Sequence, residues 1–241
     1  MAQLDYFADP PRHRQCHDST VQATIAALAS ALVGGAGIED TLTKLTSASV
    51  ALVPGADFAK ISLVDDGQLR SIAATSELTA LLDGAQRAAG QGPCLDAIIA
   101  QKVIRCDDLG ADVRWPQFAR SATSAGVHSV LSCPVDMPGS NGGTLSLFGF
   151  QPDSFGVESD AIGAVLANHA AMALITDEQE RHFKAALATR DVIGQAKGII
   201  MERFAVDSAR AFAMLTAISQ QSNTPVRDLA TTLIDRASHA P

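Results

Sequence analysis

The sequence lacks the features that mark membrane, secreted and zinc-binding proteins. No window approaches the roughly 18 to 20 unbroken apolar residues that a membrane span requires. The N-terminal stretch MAQLDYFADPPRHR carries acids and prolines where a secretory signal would have a basic end and an apolar core. Its four cysteines form no CxxC pair and its histidines show no metal-ligand spacing. These absences predict a cytoplasmic protein with free thiols, no membrane association and no metal.

The motifs of common enzyme classes are missing as well. The chain contains no Gly-rich phosphate loop, no Ser/His/Asp arrangement and no paired carboxylates in a catalytic context. We therefore expect a protein that is not an enzyme and that carries no cofactor.

Charge is distributed unevenly along the 241 residues. The net charge is −8, from 18 Lys and Arg against 26 Asp and Glu. Residues 1–184 hold 12 of the basic and 21 of the acidic residues, whereas residues 185–241 hold six and five. The near-neutral C-terminal part is compatible with a nucleic-acid partner, although this charge does not by itself indicate one.

Residue periodicity in the N-terminal part predicts an α+β fold. Residues 1–18 are expected to form a flexible tail, followed by a helix from Asp18 or Ser19 to about Leu32. Two strand patterns flank Asp65-Asp66-Gly67, which is typical of a hairpin turn. The remaining predicted elements are helices at about Ile38–Val53, Glu77–Ala88, Cys94–Gln101 and Phe118–Ser124, strands at Phe58–Val64, Leu69–Ala74, Val103–Cys106, Ser129–Val135 and Thr144–Phe150, and a helix from near Ser159 through Ile175. This order indicates an antiparallel sheet with flanking helices over residues 19–176.

Residues 177–241 predict an all-α unit. The polar run Asp177–Arg181 is typical of a solvated helical connector. A rough seven-residue spacing then continues through Phe183, Leu187, Arg190 and Ile193 or Gly194, which favours a short helical pairing seam. Three helices follow, the second capped by Asp207. Gly198 suggests a close helix crossing. The residues expected to face inward are Ile193, Ala196, Ile199, Ile200, Phe204, Ala211, Phe212, Leu215, Ile218, Ser219, Val226, Leu229, Ala230, Leu233 and Ile234.

Both parts resemble known families. The segments Gln91–Ala97, Asp107–Leu109, Arg114–Phe118, Gly126–Ser132 and Ala167–Ala171 resemble the GAF half of actinobacterial GAF–ANTAR regulators. The C-terminal part resembles an ANTAR domain in Ala186–Met201, in Ala211, Phe212, Leu215 and Ser219, and in the run from Asn223 through Arg227–Ala230. The chain is thus identified as a GAF-like sensor domain joined by a long helix to a three-helix ANTAR domain. No Asp-centred receiver domain precedes the ANTAR-like part, so the resemblance implies a GAF input and not phosphorylation of a receiver.

The resemblance implies a partner and a set of contact residues. ANTAR domains bind paired RNA stem-loops in nascent leader transcripts as dimers, which blocks formation of a terminator hairpin. Looped-out bases expose hydrogen-bonding edges that cations and amides can read. The residues expected to contact RNA are Arg190, Gln195, Lys197, Arg203, Gln220, Asn223 and Arg227. We expect a homodimer formed through the connector helix.

Three residues of the GAF-like part stand out as redox or ligand-binding candidates. Cys94 follows a Gly-Pro loop and begins a helix, where the helix dipole lowers a thiol pKa. Trp115 belongs to an aromatic cluster, and His128 stands where the resembling regulators usually carry an arginine. These residues suggest an unidentified small-molecule ligand of the GAF-like part.

Two alternative functions follow from other features. The order Cys94, Cys106 and Cys133 resembles the three cysteines of GAF proteins that reduce free methionine sulfoxide. The turn between the last two helices resembles a helix-turn-helix of a DNA-binding regulator, although the third helix offers only Arg227 and Arg236 for phosphates.

Overall fold

The computed structural model describes residues 37–65, 68–137 and 142–238, and these residues form two units. The division falls between Ile175 and Thr176. The predicted tail at 1–18, the helix expected up to Leu32 and the turn residues Asp66 and Gly67 lie outside the described residues.

The first unit is an antiparallel sheet with flanking helices, which confirms the predicted α+β fold. Its elements are α1 (Ile38–Leu52), β1 (Phe58–Asp65), β2 (Gln68–Ala74), α2 (Leu78–Ala89), α3 (Pro93–Ala100), β3 (Ile104–Cys106), α4 (Pro116–Ser124), β4 (Ser129–Val135), β5 (Gly143–Gly149) and the start of α5 (Val157–Phe204). The strands lie in the order β2-β1-β5-β4-β3, and all neighbouring pairs are antiparallel.

One face of the sheet is apolar and forms the main core. Ala59 and Ile61 of β1 lie opposite Leu147 and Leu145 of β5, and all four are fully buried. Residues of α1 and of the first turns of α5 complete this core. Helix α5 approaches closely at Gly163, where an added Cβ would lie 2.9 Å from the sulfur of Cys133.

Helix α5 continues without a break over 48 residues from Val157 to Phe204. The predicted connector is therefore helical. Two i,i+4 ion pairs lie in it: Arg181 to Asp177 at 2.9 Å and Lys184 to Glu180 at 2.8 Å. Such exposed pairs add a few tenths of a kcal/mol each to helix stability.

The second unit packs α6 (Ser208–Ser222) and α7 (Val226–Ser238) against the last turns of α5. The Asp207 carboxylate accepts the backbone N–H of Arg210 at 2.7 Å, which confirms the predicted cap. The buried side chains at the centre of this unit are Ala196, Ile200, Ala211, Leu215 and Ala230.

Three residues predicted to face inward are instead exposed. Phe204 is 60% exposed, Ile218 48% and Phe212 45%. Phe204 and Ile218 line an open groove bounded by residues of all three helices, so part of each side chain stays exposed. Phe212 follows the buried Ala211 and is rotated about 100° from it around the helix. The expectation for these three residues was wrong. Periodicity shows which side of a helix is apolar, but it does not show how much of that side the neighbouring helices cover.

The close helix crossing predicted at Gly198 is also wrong for a single chain. Apart from the nearby backbone of its own helix, no described atom lies within 4 Å of a Cβ added there. Because glycine inside a helix costs about 1 kcal/mol relative to alanine, Gly198→Ala should raise the free energy of unfolding by about that amount. Urea unfolding followed by circular dichroism tests this, and a loss of stability would show that the site has a close neighbour after all.

Candidate functional site

The second face of the sheet carries a row of buried polar side chains. Lys60 of β1 lies opposite Ser146 of β5, which lies opposite Ser132 of β4. Ser62 and Thr144 form the next pair on the same face. None of the five has exposed surface. The Ser62 hydroxyl finds no hydrogen-bond partner among the described residues.

Helices α2 and α3 supply the polar groups that meet this face. The Lys60 ammonium forms a buried ion pair with Asp83 of α2 and lies 5.9 Å from the centre of the Phe148 ring. Gln86, one turn further along α2, reaches Cys94 at the start of α3. We call the set formed by Lys60, Asp83, Gln86, Cys94, Ser132 and Ser146 the polar cluster.

Cys94 is held by hydrogen bonds on its sulfur and on its backbone. The Gln86 amide donates to the Cys94 sulfur at 3.1 Å and accepts the Cys94 backbone N–H at 3.0 Å. The hydroxyl of Ser146 lies 3.2 Å from the sulfur, and that of Ser132 donates to it at 3.8 Å. An amide and two hydroxyls around one sulfur form an environment suited to a thiolate.

Gly92 lets the chain approach Gln86 closely enough for this arrangement. Its φ is +154°, and an added Cβ would lie 2.3 Å from the Gln86 side-chain oxygen. A side chain at position 92 would therefore displace the amide that holds Cys94.

The polar cluster lowers the pKa of Cys94 below its ordinary value. Complete burial opposes ionisation and raises the pKa, but the positive charge of Lys60 and the hydrogen bonds from Ser146, Gln86 and Ser132 together outweigh it. Burial in turn lowers the pKa of Lys60, although the charge of Cys94 acts in the opposite direction. The sequence indicated a low Cys94 pKa from its place at a helix start; the lysine and the amide are contributions that only the fold reveals.

The other two described thiols are of a different kind. Burial and the hydrogen bond to Asp112 raise the pKa of Cys106 to about 12. Burial and the nearby charge of Asp160 raise the pKa of Cys133 to about 12. Cys133 also points to the apolar face of the sheet, because it follows Ser132 on β4 and successive strand residues alternate.

We expect Cys94 to be ionised at a lower pH than an ordinary thiol, whose pKa is about 8.5. A pH titration of thiolate absorbance near 240 nm should show a component below that value that is absent in Cys94→Ser and moved upward in Gln86→Leu. Since the folded-state pKa is the lower one, ionisation of Cys94 adds stability as pH rises from that pKa towards about 8.5 and removes it as pH falls. An unchanged absorbance curve in Cys94→Ser would contradict this, and Cys106→Ser serves as the control.

Trp115 and His128 occupy separate places. Trp115 is buried, its indole N–H donates to Asp96 of α3 at 2.9 Å, and the Arg114 guanidinium lies 4.2 Å from its ring centre. His128 is half-buried just before β4, where its backbone bonds to Leu109 and Gly149. Trp115 is thus linked to α3, the helix that carries Cys94. Among the described residues, no hydrogen bond joins His128 to Trp115 or to Cys94.

Three of the predicted RNA-contact residues lie in one groove of the second unit. This groove, of about 1070 Å³, is lined by Arg190, Gln195 and Lys197 of α5 and by Phe212 of α6. Asp191, Ile193 and Gly194 also line it. We call it the α5–α6 groove. Within the described parts of the chain, no carboxylate lies within ion-pair distance of Arg190 or Lys197.

The other predicted contact residues do not line this groove. Arg203 lines a second, more apolar groove of about 340 Å³, together with Arg236 and residues of all three helices. Gln220 and Arg227 are exposed near the connection between α6 and α7. Asn223 ends α6 in the left-handed region, with φ 51°, and its backbone N–H bonds to Ser219. Asn223 thus has a local structural role that the sequence did not indicate.

The described residues form an α+β domain with a buried polar cluster, followed by a helical unit with the α5–α6 groove. Family models agree with this division: a GAF domain matches residues 35–175 and an ANTAR domain matches residues 181–234. The chain therefore belongs to the GAF family and is a two-domain GAF–ANTAR regulator.

Solved structures similar to this chain show the GAF fold. A free methionine-R-sulfoxide reductase from Neisseria meningitidis, in complex with its substrate, is 15% identical with a TM-score of 0.54, covering 75% of this chain and 99% of that chain. The GAF domain of a phosphoenolpyruvate-protein phosphotransferase from Coxiella burnetii is 16% identical with a TM-score of 0.53, covering 69% and 98%. A bacteriophytochrome from R. palustris is 12% identical with a TM-score of 0.57, covering 87% of this chain and 48% of that chain.

A search of functionally curated proteins found no match. No helix among the described residues is long and apolar enough to cross a membrane.

Proposed function

We propose that the chain is a cytoplasmic RNA-binding regulator of transcription antitermination. Its ANTAR domain binds paired stem-loops of a nascent leader transcript as a dimer, and its GAF domain supplies the input. The observation that carries the proposal is the α5–α6 groove, which gathers Arg190, Lys197 and Gln195 beside an exposed aromatic ring.

The chemistry of this groove suits unpaired RNA. Arg190 and Lys197 offer cations without a described acidic partner, which favours contacts with phosphates. The Gln195 side chain offers both a donor and an acceptor, the combination needed for a base edge. Arg203, Gln220, Asn223 and Arg227 extend the proposed contact surface around the unit.

Direct binding measurements test the nucleic-acid class. In filter binding at low salt, the full chain should retain a tandem-hairpin RNA and release duplex DNA of equal length. Tighter retention of the duplex DNA than of the RNA would favour the DNA-binding alternative. That alternative depends on Arg227 and Arg236 of α7, of which Arg236 lines the apolar groove with Leu229 and Leu233. Two cations on one helix are few for duplex phosphates.

Dimerisation through the connector is supported by an exposed apolar seam. Phe183 and Leu187 are exposed on α5, four residues apart, near the start of the second unit. Pairing two copies through this stretch would bury both side chains, as the apolar a and d residues of a coiled coil are buried.

The input is proposed to act at the polar cluster. A ligand or a chemical change at Cys94, with Trp115 and His128 as further candidates, would alter the packing of α3 against the sheet. Helix α5 carries core residues of the GAF domain such as Leu166 and Ala170, and also the groove residues Arg190 and Lys197. One unbroken helix therefore contributes both to the core of the GAF domain and to the α5–α6 groove.

We also propose that the chain is not an enzyme. A reductase using Cys94, Cys106 and Cys133 would need sulfurs that can exchange, but Cys133 points to the other face of the sheet from Cys94. An assay with free methionine sulfoxide and a dithiol donor should show no turnover above that of the Cys94→Ser variant. Turnover by the unaltered chain that disappears in Cys94→Ser would establish the enzyme alternative.

A further inference from the structure

Phe212 is an exposed aromatic residue with no role in the core of its unit. It lines the α5–α6 groove at 45% exposure, while its neighbour Ala211 is fully buried. An exposed ring in a groove is therefore available to a partner that covers it.

The surroundings of the ring indicate the chemistry of that partner. The Lys197 ammonium lies 5.9 Å from the ring centre, within the range of a cation–π contact. This contact holds a cation of α5 next to an aromatic face of α6. Arg190 and Gln195 line the same groove, so a ring, two cations and an amide occur together with one carboxylate, that of Asp191. An apolar partner would leave the cations without a counter-charge. A nucleotide offers a flat base to the ring, a phosphate to the cations and a base edge to the amide.

We propose that Phe212 is the platform on which an unpaired RNA base stacks, with Lys197 and Arg190 bound to the neighbouring phosphates. The inference rests on the proposed RNA binding and adds a specific residue and a mode of contact to it. Every base has a flat face, so stacking contributes affinity without demanding one sequence. Gln195 is then placed to select among bases by their edges.

A double comparison of protein and RNA tests the stacking. The probes are tandem hairpins whose loops contain either randomised bases or abasic sites, and the proteins are the full chain and its Phe212→Leu variant, which keeps an apolar side chain without a ring. Stacking predicts that Phe212→Leu weakens binding of base-containing loops roughly tenfold. It also predicts that the two proteins bind abasic loops alike.

The outcomes separate this inference from the proposed function. If the unaltered chain ignores both probes at low salt, RNA binding itself fails. If it binds and Phe212→Leu binds as tightly, stacking alone is overturned. An equal loss on both probes would assign Phe212 to folding or dimerisation and would likewise overturn stacking, and light scattering of the same samples gives their oligomeric state.

Two glycines of α5 provide a matched test of whether the groove is occupied. Gly194 lines the α5–α6 groove and Gly198, one turn later, does not. At both positions an added Cβ meets no described atom within 4 Å apart from the nearby backbone of its own helix. Gly194→Leu should therefore reduce RNA affinity while Gly198→Leu leaves it unchanged. Equal effects of the two substitutions, in either direction, would contradict binding in this groove.

Discussion

Replacing Lys60 by methionine should lower the free energy of unfolding by about 3–5 kcal/mol. The ammonium of Lys60 is completely buried and paired with Asp83, which is itself only 6% exposed. Without the lysine, the nearly buried carboxylate of Asp83 loses its ion-pair partner. The size of the effect comes from this orphaned charge more than from the loss of the bond.

The double variant Lys60→Met/Asp83→Leu distinguishes the two causes. With both charges removed, most of the lost stability should return, since apolar residues of similar volume replace buried pairs at little cost. Urea unfolding of the full chain measures all three proteins. A double variant as unstable as Lys60→Met alone would show that the polar cluster contributes through shape and not through charge.

Lys60 also supports the Cys94 thiolate, so the same variants have a second readout. Loss of the ammonium should raise the pKa of Cys94, because its positive charge is the largest of the favourable contributions. Thiolate absorbance in the double variant, if it remains folded, should therefore move to higher pH.

The variant Arg190→Ala/Lys197→Ala should weaken binding of tandem-hairpin RNA about 100-fold, or about 2.7 kcal/mol. Both side chains line the α5–α6 groove and neither has an acidic partner within the described residues. A cation that binds a phosphate releases counterions from the RNA, and the variant no longer does so at these two positions. The dependence of affinity on salt should therefore become shallower by about one unit of log–log slope per residue.

Arg210→Ala is the control for this double variant. Arg210 is an exposed arginine of α6 outside the α5–α6 groove, and only its backbone N–H takes part in the helix cap. Its loss should leave both the affinity and the salt slope nearly unchanged. If removing Arg210 weakened binding as much as the double variant did, general charge and not the groove would account for RNA affinity.

The order of elements could be predicted from the sequence because each carries its own local signal. Period-two strands around Asp65, the glycine-bounded helices and the Asp207 cap all depend on neighbours within a few residues. The solvated Asp177–Arg181 run likewise predicts the continuous helix, since i,i+4 pairs need nothing from elsewhere in the fold.

The polar cluster could not be predicted from local pattern, because its parts come from five elements. Lys60 and Ser62 alternate with apolar residues on β1, and so do Thr144 and Ser146 on β5. Such alternation is typical of a strand with one face in water. Only the cover of α2 and α3, which is a long-range property, makes that face an interior. The same limit explains why periodicity alone places Phe212 in the core.

Because Gly163 lies close to Cys133, the side-chain sizes that these two positions can accept depend on each other. The helix backbone at residue 163 passes so near the sulfur that one further methyl group has no room. A sulfur carrying an added oxygen or alkyl group would meet the same obstacle from the other side. An alanine at position 163 would require the Cys133 sulfur to shift, so it should fit more readily where residue 133 is smaller. Reagents that modify thiols should likewise find Cys133 closed as long as the helix stays packed on the sheet.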